Sequence, residues 1–330
     1  MYCDLLCICM LFLTAYLVDS SQQLNGDKNG PRFVSMCIVT EPKDNFEARK
    51  PKEIVRGCLR FLCTLISTTK PLMKPLMIVN SLMSTRQRNL LRNAGATIRT
   101  VPDLPSFNKS GTAWLSRPKT SGKKHDRSRL YTFYKLYLWD PNIVGYGLRV
   151  HIDSDAIIIR NVGNLLTDYE SPAALAYTKD CTSNSYNPPN GIQIDENRVE
   201  KKDFYWNTGV VVYKTSQETF QDLMKMYMTG NFPTVDLWVT EGDILQTYYW
   251  RKLKGKRPNE LPHTMNFRGY DCAYSRVSNY NDISIIHKSS FESKILNKIC
   301  PEYAKEYWQK LGQAMNTDSC SNYNLSIPPL

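Results

Sequence analysis

Short apolar runs that alternate with amphipathic segments constrain the fold more than any other feature of this sequence. Three such runs predict buried strands, at residues 33–40 (FVSMCIVT), 75–80 (PLMIVN) and 96–101 (ATIRTV). Each run is short and is separated from the next by a segment with helical periodicity. Strands linked in this way pair in parallel, because the helix bridges their ends in a right-handed crossover. The pattern predicts a doubly wound α/β sheet, in which ligands bind beyond the carboxyl ends of the strands.

The connecting segments carry helix signals. Residues 52–66 place apolar side chains at helical spacing, while Ser84 and Gly95 stand where a helix over residues 85–94 would begin and end. Residues 129–140 (RLYTFYKLYLWD) predict another helix with a broad aromatic face, on which Lys135 lies between aromatic residues. No Gly-x-Gly-x-x-Gly follows the first strand, which argues against a dinucleotide cofactor.

Composition narrows the class of protein. The chain has 330 residues, 42% of them hydrophobic and 22% charged, which is typical of a globular protein with a substantial core. Its formal net charge of +11 favours an anionic partner, which could be a nucleic acid, an anionic membrane or a phosphorylated small molecule. Zinc-finger spacings and RNA-binding aromatic motifs are absent from the sequence, so we expect no nucleic-acid partner.

The N-terminal segment has the composition of a secretory leader. Residues 5–18 (LLCICMLFLTAYLV) form an apolar run of signal-peptide length, followed by a polar stretch. Residues 1–31 are therefore predicted to be a signal peptide or short signal anchor with a linker, which implies the secretory pathway, either the Golgi or secretion, and allows association with a membrane. Because no Lys or Arg precedes the run, a cytoplasmic location is the alternative. Residues 32–330 are predicted to form one catalytic domain.

Ten cysteines are present, three of them in the leader. Cys58 and Cys63 fall within a helical pattern and are predicted to be buried thiols. The disulfide candidates lie later in the chain, at Cys181, Cys272, Cys300 and Cys320.

The stretch GLRVHIDSDAIIIRN, residues 147–161, has the strongest chemical implication. Its apolar strand stops at Asp153-Ser154-Asp155 and is followed by a second apolar run. Side chains at positions i and i+2 of extended backbone point to the same side, so Asp153 and Asp155 can face one cation. Mg²⁺ and Mn²⁺ prefer such oxygen ligands and can also bind a diphosphate.

A further strand and helix are predicted over residues 204–227. Thr215 and Glu218 fit a capping box at the helix start, and Asn207, beside Thr208 and Gly209, could offer its amide to a sugar hydroxyl. A simple Asn-Thr-Gly turn is the alternative interpretation.

Six ordered motifs give the chain a family resemblance from about Phe33 to Lys294. They are FYKLYLW, HIDSDAIIIRNVGNLL, WNTGVVVYKTSQETF, TEGDILQTYY, LPHTMNF and ISIIHKSS. In this order and spacing the chain resembles the glycogenin-like, galactinol-synthase-like retaining glycosyltransferases of family 8. The resemblance implies a GT-A fold, Mn²⁺ with Mg²⁺ as the alternative ion, and a UDP-sugar donor. A hexose, glucose or galactose, would pass with retention to a glycan, glycoconjugate or polyol, and a homodimer is left open.

The resemblance also implies residue roles. Asp153, Asp155 and His287 would bind the metal, and Lys135 would approach the nucleotide phosphates. The other residues implied to contact the donor are Val39, Thr40, Ser154, Asn207 and Asp243, and catalytic roles would fall to Asp243, Asn207 and Lys135.

Two positions depart from the family pattern. The Gln that often follows the residue matching Asp243 is replaced by Ile244, which cannot bond a sugar, and Lys288 and Lys294 are out of register with the usual lysine. The alternative function is therefore a catalytically inert protein that binds UDP or a glycan.

Overall fold

The computed structural model describes residues 32–39, 50–71, 74–104, 127–169, 176–179, 206–230, 241–254, 261–267 and 280–287, together with residues 259, 309 and 313. Several predictions fall outside these residues: the leader over 1–31, Thr40, Lys288, Lys294 and the four cysteines that were disulfide candidates.

A sheet of six strands in the order β3-β2-β1-β4-β7-β6 organises the described part of the chain. The strands are β1 Phe33–Cys37, β2 Leu76–Val79, β3 Thr97–Thr100, β4 Leu148–Ile152, β6 Ala176–Lys179 and β7 Trp206–Lys214. β1 pairs in parallel with β2 and β4, and β2 pairs in parallel with β3. β7 runs antiparallel between β4 and β6. A separate two-stranded ladder joins β5 Ile157–Ile158 to β8 Ile285–Ile286.

Helices connect these strands as predicted. The α-helices are α1 Lys50–Thr69, α2 Thr85–Asn93, α3 Pro141–Val144, α4 Gln217–Thr229 and α5 Glu241–Lys252. Short 3₁₀ helices span Gly163–Leu166, His263–Met265 and Tyr280–Asp282. Ser84 caps α2 through a complete capping box with Gln87, and Gly95, at φ 95°, follows it. The mixed α/β, mostly parallel architecture is therefore confirmed.

Two hydrophobic cores cover the two faces of the sheet, because successive strand residues point to opposite sides. On β7, Val210 and Val212 belong to the core beneath α1, whereas Val211 and Tyr213 belong to the core formed with α4 and α5. β4 is thus a central strand, buried on both faces, and its carboxyl end opens where neighbouring loops converge.

The aromatic segment Arg127–Trp139 is a 3₁₀ helix rather than the α-helix that its pattern suggested. Its tyrosines recur every three residues, and a 3₁₀ helix places side chains at i and i+3 directly above one another. Tyr134 accordingly lies with its ring centroid 6.2 Å from those of both Tyr131 and Tyr137. The three-residue spacing of the tyrosines therefore matches the three-residue turn of the observed 3₁₀ helix rather than the 3.6-residue turn of an α-helix.

Two local predictions were wrong. Cys58 is bonded to Cys37 in a disulfide between α1 and β1, because the crossover brings the helix over the strand; Cys63 is buried, as expected. The cap of α4 is Ser216, whose Oγ accepts from the Thr219 amide at 3.3 Å. Thr215 is occupied elsewhere, since its hydroxyl donates to the Gly145 carbonyl at 2.9 Å.

Among the residues that the structure describes, no helix combines the length and the apolar content that crossing a bilayer requires.

Candidate active site

The site lies at the carboxyl end of β4, where the backbone leaves the sheet in a tight turn. The Asp153 amide donates to the Gly209 carbonyl on β7 at 2.8 Å, and the Ala156 amide donates to the Asp153 carbonyl at 3.0 Å. Ser154 is half-buried within this turn, and the side chain of Asp155 is 52% exposed. The turn presents the aspartates beyond the sheet edge, where ligands bind in doubly wound folds.

The short ladder between β5 and β8 brings a distant histidine back to the same place. Ile157 pairs with Ile286, and the next residue, His287, is anchored by its amide to the Phe267 carbonyl at 2.8 Å. His287 Nε2 lies 3.4 Å from Asp153 Oδ2 and 3.4 Å from Asp155 Oδ1. One ligand atom from each of these three side chains lies within 4.8 Å of the others.

A glycine on β7 makes room for the imidazole. A Cβ at Gly209 would lie 2.1 Å from His287 Cε1 and 2.5 Å from Nδ1, distances that no side chain can tolerate. The His287 side chain is 2% exposed, and neither of its ring nitrogens makes a hydrogen bond. A buried polar group usually has a partner, and Nε2, which faces the carboxylates of Asp153 and Asp155 at 3.4 Å, is placed to share a ligand with them.

Lys135 is the cation of the cluster. Its Nζ lies 2.8 Å from Asp153 Oδ1 and 2.9 Å from Oδ2, and 3.1 Å from Glu241 Oε1 at the start of α5. Thr208 completes the bridge, since its hydroxyl donates to Glu241 Oε1 at 2.7 Å and accepts from Lys135 at 3.3 Å. The 3₁₀ helix thus places an ammonium within hydrogen-bond distance of the Asp153 carboxylate.

Burial and charge set the protonation of these groups. Burial acts to raise the pKa of Asp153, but Lys135 and a hydrogen bond from His151 hold it well below its usual range. Burial acts to lower the pKa of Lys135, but Asp153 and Glu241 outweigh it and raise that pKa. Burial lowers the pKa of His151. For His287, burial also acts to lower the pKa, but Asp155 and Asp153 outweigh it and raise that pKa.

The amide of Asn207 is held in one orientation. Its Oδ1 accepts from the Gly209 amide at 2.9 Å and from Asn266 Nδ2 at 3.0 Å. Because the backbone amide can only donate, the oxygen must face it, and the Asn207 NH₂ group is turned the other way. Asn207, predicted to contact a sugar, therefore offers hydrogen-bond donors.

The remaining predicted residues take different positions. Asp243 is buried in the first turn of α5. Val39 follows β1, and its backbone exchanges two hydrogen bonds, of 3.2 and 2.7 Å, with the side chain of Asn80. Their roles toward a donor stay predictions. Sequence reasoning missed four residues that the fold brings to the cluster: His151, Thr208, Glu241 and Asn266. For Glu241, the acidic pair that it forms with Asp243 at a helix start was a usable signal.

The donor set fits a divalent cation. Two carboxylates and a neutral imidazole are ligands that Mn²⁺ accepts. The buried His287 ring, whose Nε2 faces both carboxylates, is placed to be the third ligand. Asp153, Asp155 and His287 would hold the ion.

Solved structures share this fold at low sequence identity. The apo bifunctional glycosyltransferase WbbM aligns with 16% identity and a TM-score of 0.51 over 87% of this chain and 52% of its own, so the chain spans about half of WbbM. The galactosyltransferase LgtC, in complex with donor and acceptor sugar analogues, aligns with 14% identity and a TM-score of 0.50 over 86% of this chain and 96% of LgtC. An active-site mutant of LgtC gives 12% and 0.53, over 85% and 95% of the two chains.

No protein-family model matches the sequence, and neither does any characterised protein. At these identities the structural likeness establishes a shared architecture. The predicted GT-A type fold is therefore confirmed.

Proposed function

We propose that the chain is a metal-dependent glycosyltransferase that moves a hexose from a UDP-sugar to a glycan, glycoconjugate or polyol acceptor with retention of configuration. The observation that carries the proposal is the cluster of Asp153, Asp155 and His287, whose ligand atoms lie within 4.8 Å of one another at the carboxyl end of a central strand. Its setting supports the proposal, because the fold is shared with the galactosyltransferase LgtC and ligands of such sheets bind at the carboxyl ends of the strands.

Each part of the site has a role in this proposal. A Mn²⁺ ion, or Mg²⁺ in its place, would offset the negative charge that develops on the departing UDP. Lys135 adds a second fixed positive charge beside Asp153 for the phosphates. Asn207 offers its NH₂ group to a sugar oxygen, while Asp243 and Ser154 contact the donor and Val39 and Thr40 flank its uracil or ribose. The acceptor hydroxyl then attacks from the face that UDP leaves, with no covalent intermediate on the protein.

The proposed donor and acceptor rest on the family resemblance and on the disulfide between Cys37 and Cys58. Glucose and galactose are the proposed sugars on the family resemblance. The disulfide between Cys37 and Cys58 favours an oxidising compartment, since such bonds persist mainly in secreted and lumenal proteins. We therefore favour a secretory-pathway enzyme that acts on a lumenal glycan or glycoconjugate.

A donor-hydrolysis screen tests the proposal. Purified full-length protein is incubated with a panel of UDP-sugars, with Mn²⁺ or with EDTA, and UDP release is measured. We expect release from one sugar to depend on Mn²⁺ and to fall by about 100-fold or more in Asp153→Ala and Asp155→Ala, because loss of one electrostatic contact to the leaving group costs about 3 to 4 kcal/mol. Equal turnover in the double variant would contradict the metal assignment.

The inert alternative has an observation of its own. Ile244, which follows Asp243 where the family often has a polar residue, is fully buried in the core and is not available to a sugar. If calorimetry showed Mn²⁺-dependent UDP binding while every sugar and acceptor gave neither hydrolysis nor transfer, the chain would be a binding protein rather than an enzyme.

A further inference from the structure

A buried histidine stands directly behind the metal-facing aspartate. His151 lies on β4 two residues before Asp153, so the two side chains leave the extended backbone on the same side. The ring has no solvent exposure. Its Nε2 lies 2.9 Å from Asp153 Oδ1, and its Nδ1 lies 3.2 Å from the Val34 carbonyl oxygen on the neighbouring strand β1. The imidazole therefore spans from the sheet backbone to one carboxylate oxygen.

The contacts of Asp153 divide its two oxygens. Oδ2 faces His287 Nε2 at 3.4 Å, on the side of the candidate metal position, whereas Oδ1 faces His151. Lys135 cannot make this distinction, because its Nζ lies almost equally close to both oxygens, at 2.8 and 2.9 Å. The hydrogen bond from His151, at 2.9 Å, is shorter than the contact from His287, at 3.4 Å, and it favours the rotation that leaves Oδ2 on the side of His287.

A purely space-filling role does not account for this ring. Val150 and Ile152, its neighbours on β4, fill the core with apolar side chains. Both partners of His151 are acceptors, and a neutral ring carries a single N–H, so one nitrogen is left facing an oxygen. Burying such a mismatch is unfavourable unless the other bond is strong, and a bond to an ionised carboxylate is among the stronger ones.

We propose that His151 is a positioning residue, which donates from Nε2 to Asp153 Oδ1 and so turns Oδ2 toward the divalent cation. The inference rests on the proposed metal-dependent function and adds to it a residue that does not contact the ion. Hydrogen-bond partners that orient metal ligands in this way typically contribute about 10- to 100-fold to metal affinity.

Two substitutions of His151 test the contacts of its two ring nitrogens separately. In His151→Gln the side-chain amide nitrogen can replace Nε2 and donate to Asp153. In His151→Asn the shorter amide can reach only the position of Nδ1, where its NH₂ group would face the Val34 carbonyl, and the bond to Asp153 is lost. The measured quantity is the Mn²⁺ affinity of the full-length protein. It is obtained from the electron paramagnetic resonance signal of free Mn²⁺, a measurement that requires no turnover.

We expect His151→Asn to weaken Mn²⁺ binding by about 10- to 100-fold and His151→Gln to stay within about threefold of the wild type. Near-ultraviolet circular dichroism monitors folding, and His151→Leu, which brings no polar atom into the core, replaces His151→Asn if that variant does not fold. Equal affinity in wild type, Asn and Leu variants would overturn the positioning role while leaving the metal site in place. Absence of Mn²⁺ binding by the wild type would overturn both the role and the proposed function.

Discussion

The two ends of strand β4 both bury charge, and they stabilise it in opposite ways. At the amino end, Arg149 is 2% exposed and donates three hydrogen bonds to backbone carbonyls, those of Val144 at 3.0 Å, Leu148 at 2.9 Å and Tyr146 at 2.7 Å. The loop that supplies them turns through Gly145 and Gly147, at φ 79° and 111°, which favours glycine. The guanidinium is held by fixed dipoles.

At the carboxyl end the charge is shared among side chains. Asp153 is contacted by Lys135 and by His151, and it faces His287, whose ring nitrogens make no hydrogen bond. A side chain can give up its contact with another side chain and bind a ligand instead, whereas the backbone carbonyls of a tight loop are fixed in place. Burial of a charge therefore does not by itself mark a functional site: Arg149 is held by backbone acceptors, whereas the cluster at Asp153 is built from side chains and includes a buried ring nitrogen, His287 Nδ1, without a hydrogen bond.

The largest effect should come from the amino end, as a loss of stability. Arg149→Met removes three hydrogen bonds from a charged donor, and each such bond contributes about 1.5 to 3 kcal/mol, so we expect the free energy of unfolding to fall by about 3 kcal/mol or more. Urea denaturation measures it. Folded Arg149→Met protein should keep its Mn²⁺ affinity; if that affinity fell with stability, the two ends would form one coupled unit and the contrast would be lost.

The corresponding experiment at the carboxyl end of β4 removes the negative charge of Asp155. Asp155→Asn keeps the shape of a side chain that is 52% exposed and removes one partly exposed ion pair with His287, so stability should change by less than about 1 kcal/mol. Mn²⁺-dependent release of UDP should nevertheless fall by about 100-fold, because a ligand to the leaving-group cation is lost. A large drop in unfolding free energy with unchanged UDP release would assign Asp155 to the fold instead.

A smaller effect is expected from the glycine that admits His287. In Gly209→Ala the new methyl group would collide with the His287 imidazole and would also lie 2.8 Å from Asn207 Oδ1, so the imidazole is displaced from its position beside Asp153 and Asp155. We expect Mn²⁺ affinity to fall by about tenfold. Gly57→Ala is the matched control, because its Cβ would meet only the Ser154 carbonyl oxygen at an ordinary 3.5 Å. Equal Mn²⁺ affinities in the two variants would show that His287 is not a ligand.

The sequence predicted local features well and long-range partners poorly. Asp153 and Asp155 were accessible because a strand, a turn and an acidic pair are adjacent in the chain, and the cap of α2 at Ser84 is equally local. His287 could be named only through the family resemblance, since its position depends on the pairing of β5 with β8. The disulfide of Cys58 was missed for the same reason: the crossover that joins β1 to α1 decides which cysteine it meets.

The same limit applies in part to side chains that act through others. His151 stands two residues before Asp153 on the same side of the strand, so that contact was accessible from the sequence. The contact of Glu241 is made from the start of a distant helix, and its acidic pair with Asp243 does not show which residue it meets. Thr215 shows the reverse error. Its residue type suits a helix cap, but its hydroxyl donates to the Gly145 carbonyl, and the hydroxyl of Ser216 caps the helix instead.

The smallest effect we expect tests whether carboxyl-end partners are movable. Asn266 Nδ2 and the Gly209 amide both donate to Asn207 Oδ1. These two bonds keep the Asn207 NH₂ group turned away from Asn266 and Gly209. Asn266→Asp replaces that donor with an acceptor and favours reversal of the Asn207 amide, which would cost about 1 kcal/mol, or about a fivefold rise in KM for the UDP-sugar. Asn266→Ala, which leaves the Gly209 bond intact, should raise KM less. Because neither change touches Asp153, Asp155 or His287, Mn²⁺ affinity should stay constant; a parallel loss of Mn²⁺ binding would mean that Asn266 supports the metal cluster rather than the sugar-facing amide.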